Sequence, residues 1–360
     1  MPNMVYMMTN MEVMNQVVAF SRNLNGTLTF AGIFPTNGKG TGIKGINPVA
    51  ASRGGIDPLS SQGALTLSPD GRFLFAANAG SHSISCFVLT NNGLPMLVDV
   101  KPSGGVQPNS IAVFGNLLYI ANAGNFENNY GSNISGFRID PNGRLTAIPG
   151  STHSLSQFNA VPSQVLFHPD GSKILVSEIT TNLISVFHVN QDGTVRGPIL
   201  NESSGIQPFG SLFLSSGVLL VTEAESNALS SYSMNRNGRL NVISGSVPTG
   251  QKATCWVAVT KDERFAFTPN TLSGTIAVYR IDRNGALTFL RNVASTPEGV
   301  PTGLPMDVGV SKDGRFLYAL NGNLGTISVF HILDEGNLAI LQIAAWTTTP
   351  YFGSQGLAVL

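Results

Sequence analysis

Two glutamates are the residues of this 360-residue chain whose type and spacing best suit chemistry. Glu178 and Glu223 end consecutive copies of a repeated strand pattern, at a position where the other copies carry asparagine. Asparagine often starts a loop because its side chain bonds nearby backbone, and a carboxylate has no comparable role. If both point inward, one carboxylate, its pKa raised by the other and by partial burial, can act as general base or acid toward a water that attacks a carbonyl carbon. The alternative is a pair of ordinary surface carboxylates.

The same two carboxylates also suit a divalent cation. Together with asparagine carbonyls around a funnel they would form a hard-oxygen cluster of the kind that binds Ca²⁺ or Mg²⁺. No spacing in the sequence enforces such a site, and Cys86 and Cys255 have no metal-ligand spacing. We therefore expect no cofactor, with Ca²⁺ or Mg²⁺ as the open alternative.

Histidines separate into regular and irregular positions. His168, His188 and His331 occupy regular repeat positions and are expected to be structural, whereas His82 and His153 belong to irregular connections, where function is commonly placed. His153 joins the two glutamates as a candidate catalytic residue. The candidate substrate-binding residues are Asn78, His82, Asn122, Gln164, Trp256, Asn270, Asp307 and Asn321.

Aromatic residues supply the remaining candidates. Trp256, which lies just ahead of a repeated strand, would offer a stacking wall, although a core position suits it as well. Phe126, Glu127 and Tyr130 in a long loop are expected at the rim of the same site.

Composition excludes several classes of function. The 20 Lys and Arg balance the 20 Asp and Glu, so there is no basic footprint for nucleic acid. The chain has no G-x-S-x-G nucleophile elbow and no phosphate-binding P-loop. The start "MPNMVYMMTN" lacks the pattern of a signal peptide, and no apolar run is long enough for a membrane span. We expect a cytoplasmic monomer or weak oligomer that acts on a small molecule, although a mature form without its leader would look the same.

The elements that must position these residues are seven copies of one unit. An apolar tetrad recurs as "VVAF" at 17, "ISCF" at 84, "ISGF" at 134, "ISVF" at 184, "LSSY" at 229, "IAVY" at 276 and "ISVF" at 327, and each is followed by a turn such as "NGRLT". Asn-Gly and Asp-Gly between alternating strands are strong hairpin signals because both central residues of the favoured turn need positive φ. A second hairpin such as "LTLSPDGRFLFAAN" precedes most tetrads.

Four short strands, a to d, recurring about every 45 to 50 residues without helical periodicity are typical of a β-propeller blade. The C-terminal "GSQGLAVL" resembles strand a of the first full repeat, and the N-terminal "NMVYMMTN" resembles a strand b. The sequence therefore predicts an all-β, seven-bladed propeller over residues 1–360 as one domain, with N- and C-terminal strands sharing a blade, which leaves no exposed edge. Function is expected on the face formed by the b–c loops and the d–a connections, where the irregular segments lie.

Through "SPDGRFLFAANAGSHSISCF", "SKDGRFLYALNGNLGTISVF" and the "NGxLT" turns the chain resembles the seven-bladed β-propeller lactonases, which include bacterial 6-phosphogluconolactonases and fungal carboxy-muconate cyclases. The resemblance implies a hydrolase or cyclase acting on a small oxygenated lactone, and an anionic substrate would draw on Lys39, Lys44, Arg53, Lys101 or Lys252. The motifs specify blades more strongly than chemistry. A non-catalytic propeller that binds a protein, peptide or glycan through the same face is the alternative.

Overall fold

The computed structural model describes residues 3–45, 57–125, 129–347 and 352–360. Its regular structure is β-strand with four short 3₁₀ turns at Gly42–Lys44, Ala79–Ser81, Thr271–Ser273 and Asp334–Gly336. The strands are β1 (Met4–Met8), β2 (Gln16–Arg22), β3 (Leu28–Pro35), β4 (Leu65–Leu67), β5 (Phe73–Asn78), β6 (Ser83–Leu89), β7 (Pro95–Pro102), β8 (Pro108–Phe114), β9 (Leu117–Asn122), β10 (Asn133–Ile139), β11 (Leu145–Ala147), β12 (His153–Ser154), β13 (Pro162–Phe167), β14 (Lys173–Glu178), β15 (Leu183–Val189), β16 (Val195–Glu202), β17 (Pro208–Phe213), β18 (Leu219–Glu223), β19 (Ala228–Met234), β20 (Leu240–Pro248), β21 (Ala258–Val259), β22 (Phe265–Asn270), β23 (Thr275–Ile281), β24 (Leu287–Ala294), β25 (Pro305–Val310), β26 (Phe316–Asn321), β27 (Thr326–Ile332), β28 (Leu338–Ala345) and β29 (Leu357–Val359).

These strands form seven antiparallel four-stranded sheets, the blades of a β-propeller. Blades 1 to 6 are β4–β7, β8–β11, β13–β16, β17–β20, β21–β24 and β25–β28, and the short strand β12 adds to blade 2. Blade 7 has the order β29-β1-β2-β3, so its strand a comes from the C-terminus and its other strands from the N-terminus. The predicted ring closure is therefore confirmed. Strand a of each blade lies at the centre of the ring and strand d at the outside.

Each blade is packed between two neighbours, which explains the unbroken apolar runs of the b strands. All six residues of β5, "FLFAAN", are buried, and alternate side chains belong to different core clusters. Leu74 and Ala76 pack in the cluster that contains Tyr6, whereas Phe73 and Phe75 pack with residues of blade 2. A fully buried Leu or Phe side chain contributes roughly 1.5–3 kcal/mol to stability, so these interfaces hold the ring together.

Buried tyrosines join successive blades at the face of the a–b and c–d turns, which we call the turn face. Tyr6, Tyr119 and Tyr318 each lie in a strand b, and their hydroxyls donate to the carbonyls of Gly93, Gly193 and Gly26 at 2.6, 2.7 and 3.0 Å. Each of these glycines has a positive φ in the c–d turn of the following blade. One tyrosine thus fixes the position of its neighbour's turn, and its hydroxyl is satisfied although it is buried.

Candidate functional site

A central cavity of about 390 Å³ lies between the inner strands. Its wall is formed by residues in and next to the a strands of blades 1, 2, 3, 6 and 7 and presents both apolar and polar surface, with Gln62, Gln164 and Asp307 as polar groups near one end and His168 and Pro169 at the other. His168 is half-buried and Pro169 is exposed in the β13–β14 turn, so the cavity reaches solvent on the turn face. The irregular segments were expected to surround the site at the opposite face.

At that opposite end, residues 57–62 cover the cavity. The backbone N–H of Gln62 donates to the Ser163 carbonyl of blade 3 at 2.9 Å. The Gln62 side chain both donates to and accepts from the Val257 backbone of blade 5 at 3.1 Å. Leu59, Ser60 and Ser61 are fully buried. In the part of the chain that the structure describes, this segment therefore crosses the ring axis and closes the cavity from above.

Asp307 is the titratable group at this closed end. It is the bulged residue of β25, where strand pairing passes from Met306 to Val308, and bulges commonly re-aim a side chain. Burial raises the pKa of Asp307 to about 8, outweighing the backbone donors, of which the Gly356 N–H lies 2.8 Å from Oδ2. The charge of Asp57 raises the pKa further. Asp307 and Gln164 are thus the two predicted site residues that the fold brings together at the cavity.

The asparagines at the ends of the b strands are fully buried and fasten each blade to the connection that precedes it. Asn78 Nδ2 donates to Ser85 Oγ at 2.8 Å, and Ser85 in turn donates to the Thr36 carbonyl at 2.7 Å. Asn122 and Asn321 donate in the same way to the serines of their own c strands. Asn270 accepts from Thr254 of the connection that precedes blade 5. Asn10 donates to the Gly353 carbonyl of the connection that precedes blade 7 at 3.3 Å, and also to Thr41 of the connection that follows this blade. None of these five asparagines lines the central cavity.

Glu178 and Glu223 occupy the same buried position with reversed hydrogen bonding. Ser185 and Ser230 donate to the two carboxylates, both at 2.6 Å. The N–H of Ser156 donates to Glu178 at 3.2 Å and the N–H of Gly205 donates to Glu223 at 2.9 Å. An ionised carboxylate is acceptor-only, which matches this ring of donors. Neither carboxylate lines the cavity, so their contacts favour a structural role, and their catalytic assignment stays a prediction.

The remaining predicted residues lie away from the cavity. Trp256 is fully buried, packs edge-on against Phe209 at 5.1 Å and donates to the Ser61 carbonyl at 3.0 Å, so the stacking-wall assignment is replaced by a core position. His153 is half-buried in β12, with its ring 6.3 Å from that of Phe187.

His82 lies in a left-handed turn at φ 54°, and its Nδ1 accepts the Gln107 N–H at 3.1 Å. Asn182 accepts the Gln207 N–H in the same way at 2.8 Å. His82 therefore lies at a repeated position, where a side chain between strands b and c holds the connection to the next blade.

The remaining predictions concern the loop residues expected at the rim of the site and the cationic residues expected to bind an anion. Phe126, Glu127 and Arg53 lie outside the described residues, and Tyr130 is exposed. Lys44 is paired with Glu12, and Lys101 with Asp99. Within the described ranges, no group of three or more His, Cys, Asp or Glu residues is arranged to hold a metal ion. The described residues also contain no helix of the length and hydropathy that a membrane span requires.

Two cavity residues did not stand out in the sequence. Gln62 precedes a strand a, like several other polar residues, and only the fold shows that it reaches across the axis. The sequence favours a structural role for His168 because the residue lies in a turn. However, the turn sequence "HPDG" differs from the "SPDG" and "SKDG" of other blades, and this difference could have marked His168 as a candidate.

The fold and the cavity define the class of this molecule as a seven-bladed β-propeller with a ligand-sized central cavity. The profile of the family described as "Lactonase, 7-bladed beta-propeller" matches residues 2–148 and 256–350, which is more than half of the chain. The chain therefore belongs to the seven-bladed β-propeller lactonase family, as the sequence resemblance indicated. Lactone hydrolysis is accordingly its class of function.

Curated relatives agree with this family, and a solved structure shares the fold. The chain is 25% identical over 285 residues to a 6-phosphogluconolactonase of Pectobacterium atrosepticum, which covers 74% of this chain and 79% of that protein. It is also 25% identical over 287 residues to one of Buchnera aphidicola subsp. Schizaphis graminum, covering 75% and 80%. The periplasmic gluconolactonase PpgL of Pseudomonas aeruginosa shares the fold, with a TM-score of 0.74 at 16% identity, over 100% of this chain and 99% of that one.

Proposed function

We propose that this protein hydrolyses the lactone of a sugar acid in its central cavity, with Asp307 as the general base. The reaction class follows from the family, and the sugar-acid ring is suggested by the names of its 6-phosphogluconolactonase relatives. The observation that carries the assignment of the site is the buried carboxyl of Asp307. It lies at the closed end of a cavity that is large enough for such a ring.

The chemistry needs a base whose pKa lies near the working pH, and the pKa of Asp307 is raised to about 8. Ionised Asp307 takes a proton from a water whose oxygen bonds to the lactone carbonyl carbon. The ring C–O bond then breaks, and the proton passes to the departing ring oxygen, which gives the open hydroxy acid. The amides of Gln62 and Gln164 line the same end of the cavity, and the hydrogen-bonding capacity that Val257 and Ser211 leave on them would orient the ring hydroxyls.

The comparisons lend no support to the alternative of a non-catalytic binding propeller. The finer expectations, a cytoplasmic location, no nucleic-acid partner, no cofactor and a monomer or weak oligomer, belong to the same proposal. The balanced charge of 20 basic and 20 acidic residues supports the expectation of no nucleic-acid partner, and the names of the relatives support a small-molecule substrate.

The proposal is tested by hydrolysis of a panel of five- and six-membered sugar lactones by the wild type and by Asp307→Asn, Glu178→Gln, Glu223→Gln and His153→Asn. Asp307→Asn keeps the size of the side chain and an oxygen acceptor for Gly356, so that loss of the base is the main change. We expect kcat/KM to fall by roughly 10²–10⁴-fold in Asp307→Asn alone, the usual contribution of a general base.

The pH profile supplies an independent readout. The wild-type kcat/KM should rise with pH to a plateau above about 8, because the base must be ionised. A rate in Asp307→Asn close to that of the wild type would remove Asp307 as the base. A selective loss in Glu178→Gln or Glu223→Gln, with unfolding midpoints unchanged, would instead move the site to the b-strand ends.

A further inference from the structure

The turn-face mouth of the cavity carries a histidine where blades 1, 5 and 6 carry hydroxyl residues. In blades 1, 5 and 6 the first residue of the a–b turn is Ser68, Thr260 or Ser311, whose hydroxyl donates to the aspartate two residues later at 2.6, 2.6 and 2.5 Å. The same hydroxyls accept a backbone N–H from the start of strand b. Both capacities of the hydroxyl are thus used within the turn.

In blade 3 the turn is closed by His168, whose Nδ1 lies 2.7 Å from Asp170 Oδ1. Partial burial of Asp170 raises its pKa, but the hydrogen bonds from Ser172 and then the one from His168 together lower the pKa to about 2, so the aspartate is ionised. Nδ1 also lies 3.4 Å from the backbone nitrogen of Asp170, but its contact with Oδ1 is much shorter, so we assign the proton to Nδ1, where it replaces the serine hydroxyl as the donor of the turn. The imidazole has a second nitrogen, Nε2, for which the described residues offer no hydrogen-bond partner.

The ring is held at the cavity wall. Phe213 of blade 4 packs edge-on against the imidazole at 5.0 Å between ring centres, and the side chain of His168 is 19% exposed. Phe167 and Phe114, 5.8 Å apart, form the adjacent apolar wall. None of the residues that line the cavity in the described part of the chain is Lys or Arg, which leaves His168 as the lining group able to carry positive charge.

The distance between the two ends suits a ligand with a polar tail. Gln164 of β13 lies at the closed end near Asp307, and His168 follows four residues later, directly after this strand ends at Phe167. At 3.3 Å per residue this separation is roughly 13 Å along the axis. A sugar-acid ring at Asp307 therefore leaves room for a substituent that extends toward His168.

We propose that His168, oriented by Asp170, binds an anionic oxygen group of the cavity ligand at the turn-face mouth and so determines specificity for charged over uncharged ligands. The ring binds the anion as the imidazolium, in which Nδ1–H donates to Asp170 and Nε2–H to the ligand. The nature of the ligand rests on the proposed function, but the anion site stands on the geometry of the mouth. Phosphate and carboxylate share the chemistry that this site recognises.

The test measures binding without turnover, so that it does not depend on hydrolysis. Isothermal titration calorimetry at slightly acidic pH compares sorbitol, gluconate, sorbitol 6-phosphate and inorganic phosphate for the wild type and for His168→Ser. Serine is the residue that closes this turn in blades 1 and 6, so the variant keeps a native turn chemistry. His168→Asn provides a second variant, and His188→Gln, a half-buried histidine that does not line the cavity, is the matched control.

We expect the wild type and His188→Gln to bind at least one anionic sugar probe about 10-fold or more tighter than sorbitol, as one charged hydrogen bond provides. Whether sorbitol 6-phosphate or gluconate binds tighter identifies the anion, and inorganic phosphate shows whether the sugar is needed. Both His168 variants should lose the preference while sorbitol binding is unchanged. The proposal is overturned if the wild type shows no preference, or if folded His168→Ser and His168→Asn retain it. Absence of lactone hydrolysis alongside a His168-dependent preference would refute the proposed function alone.

Discussion

The hydroxyl of Ser230 donates to the carboxylate of Glu223 at 2.6 Å, and this direction is the reverse of that found in blade 1, where Asn78 donates to Ser85. In blade 1 Ser85 donates to the Thr36 carbonyl, while the Thr36 hydroxyl donates to Asn78 Oδ1, so the connection both accepts and donates. In blade 4 the Gly205 N–H donates to the carboxylate, so the connection is a donor. An amide, which donates and accepts, matches the connection of blade 1, and an acceptor-only carboxylate matches the donors around Glu223.

Glu223→Gln should destabilise the fold by about 1–3 kcal/mol, because an amide brings two donors into a pocket whose surrounding groups donate to it. Equilibrium urea unfolding measures the change. Glu225→Gln, two residues away and exposed, is the matched control and should be neutral. An unchanged unfolding midpoint in Glu223→Gln would contradict the structural role.

Much of the architecture could be predicted from the sequence. The turn signals and the repeated tetrads are local, so they identified seven blades, the shared blade 7 and the position of each b-strand end. The role of Glu178 could not be read in the same way. Ser85 and Ser185 both lie seven residues after the b-strand end, yet one accepts and the other donates, because the deciding partners, Thr36 and Ser156, come from another blade's connection.

The open face of the cavity and the burial of Asp307 could not be predicted for a related reason. Length variation in the connections indicates the face opposite the turn face, but residues 57–62 of one such connection fold over the ring axis there. Asp307 is a candidate from the sequence because it lies near the start of a strand a, and its burial depends on neighbours distant in sequence, including Gly356. Polarity at a strand start can be seen in a sequence, whereas desolvation can be seen only in the fold.

Asp307 should give the stability of the protein a pH dependence of unusual sign. The unfolded chain releases this proton near pH 4, whereas the folded protein keeps it up to about pH 8. Between these values the folded state binds the additional proton, so this group lowers the free energy of unfolding by about 1.4 kcal/mol for each unit of rising pH.

Urea unfolding at a series of pH values checks this dependence. Asp307→Asn should flatten the curve between pH 4 and 8, and Glu298→Gln, an exposed control, should leave it unchanged. Parallel curves for Asp307→Asn and the wild type would show that Asp307 is ionised in the folded protein at neutral pH.

The buried tyrosines should limit stability at alkaline pH. Burial raises the pKa of Tyr6, Tyr119 and Tyr318 well above the usual value, so these hydroxyls keep their protons in the fold. In the unfolded chain they ionise near pH 10, and stability should therefore fall as pH rises beyond that value. Absorbance at the tyrosinate band should show these groups titrating only as the protein unfolds, and a reversible titration within the folded state would contradict the assignment.

Tyr119→Phe separates the hydrogen bond from the packing. It removes the bond to the Gly193 carbonyl while keeping the ring, and we expect a loss of about 1 kcal/mol at neutral pH, together with a weaker alkaline dependence. The exposed Tyr130, changed to Phe, is the control that should alter neither property.

His82 should be replaceable by asparagine but not by alanine. Its backbone has the left-handed φ of 54°, and Nδ1 accepts the Gln107 N–H, as Asn182 does for Gln207 at φ 56°. Asparagine tolerates this conformation and keeps an acceptor, so His82→Asn should be as stable as the wild type. His82→Ala leaves the N–H without this partner and should cost about 1–2 kcal/mol by urea unfolding. If His82 instead contacts substrate, both variants will raise KM for the lactone equally, whereas the joining role predicts an unchanged KM in His82→Asn.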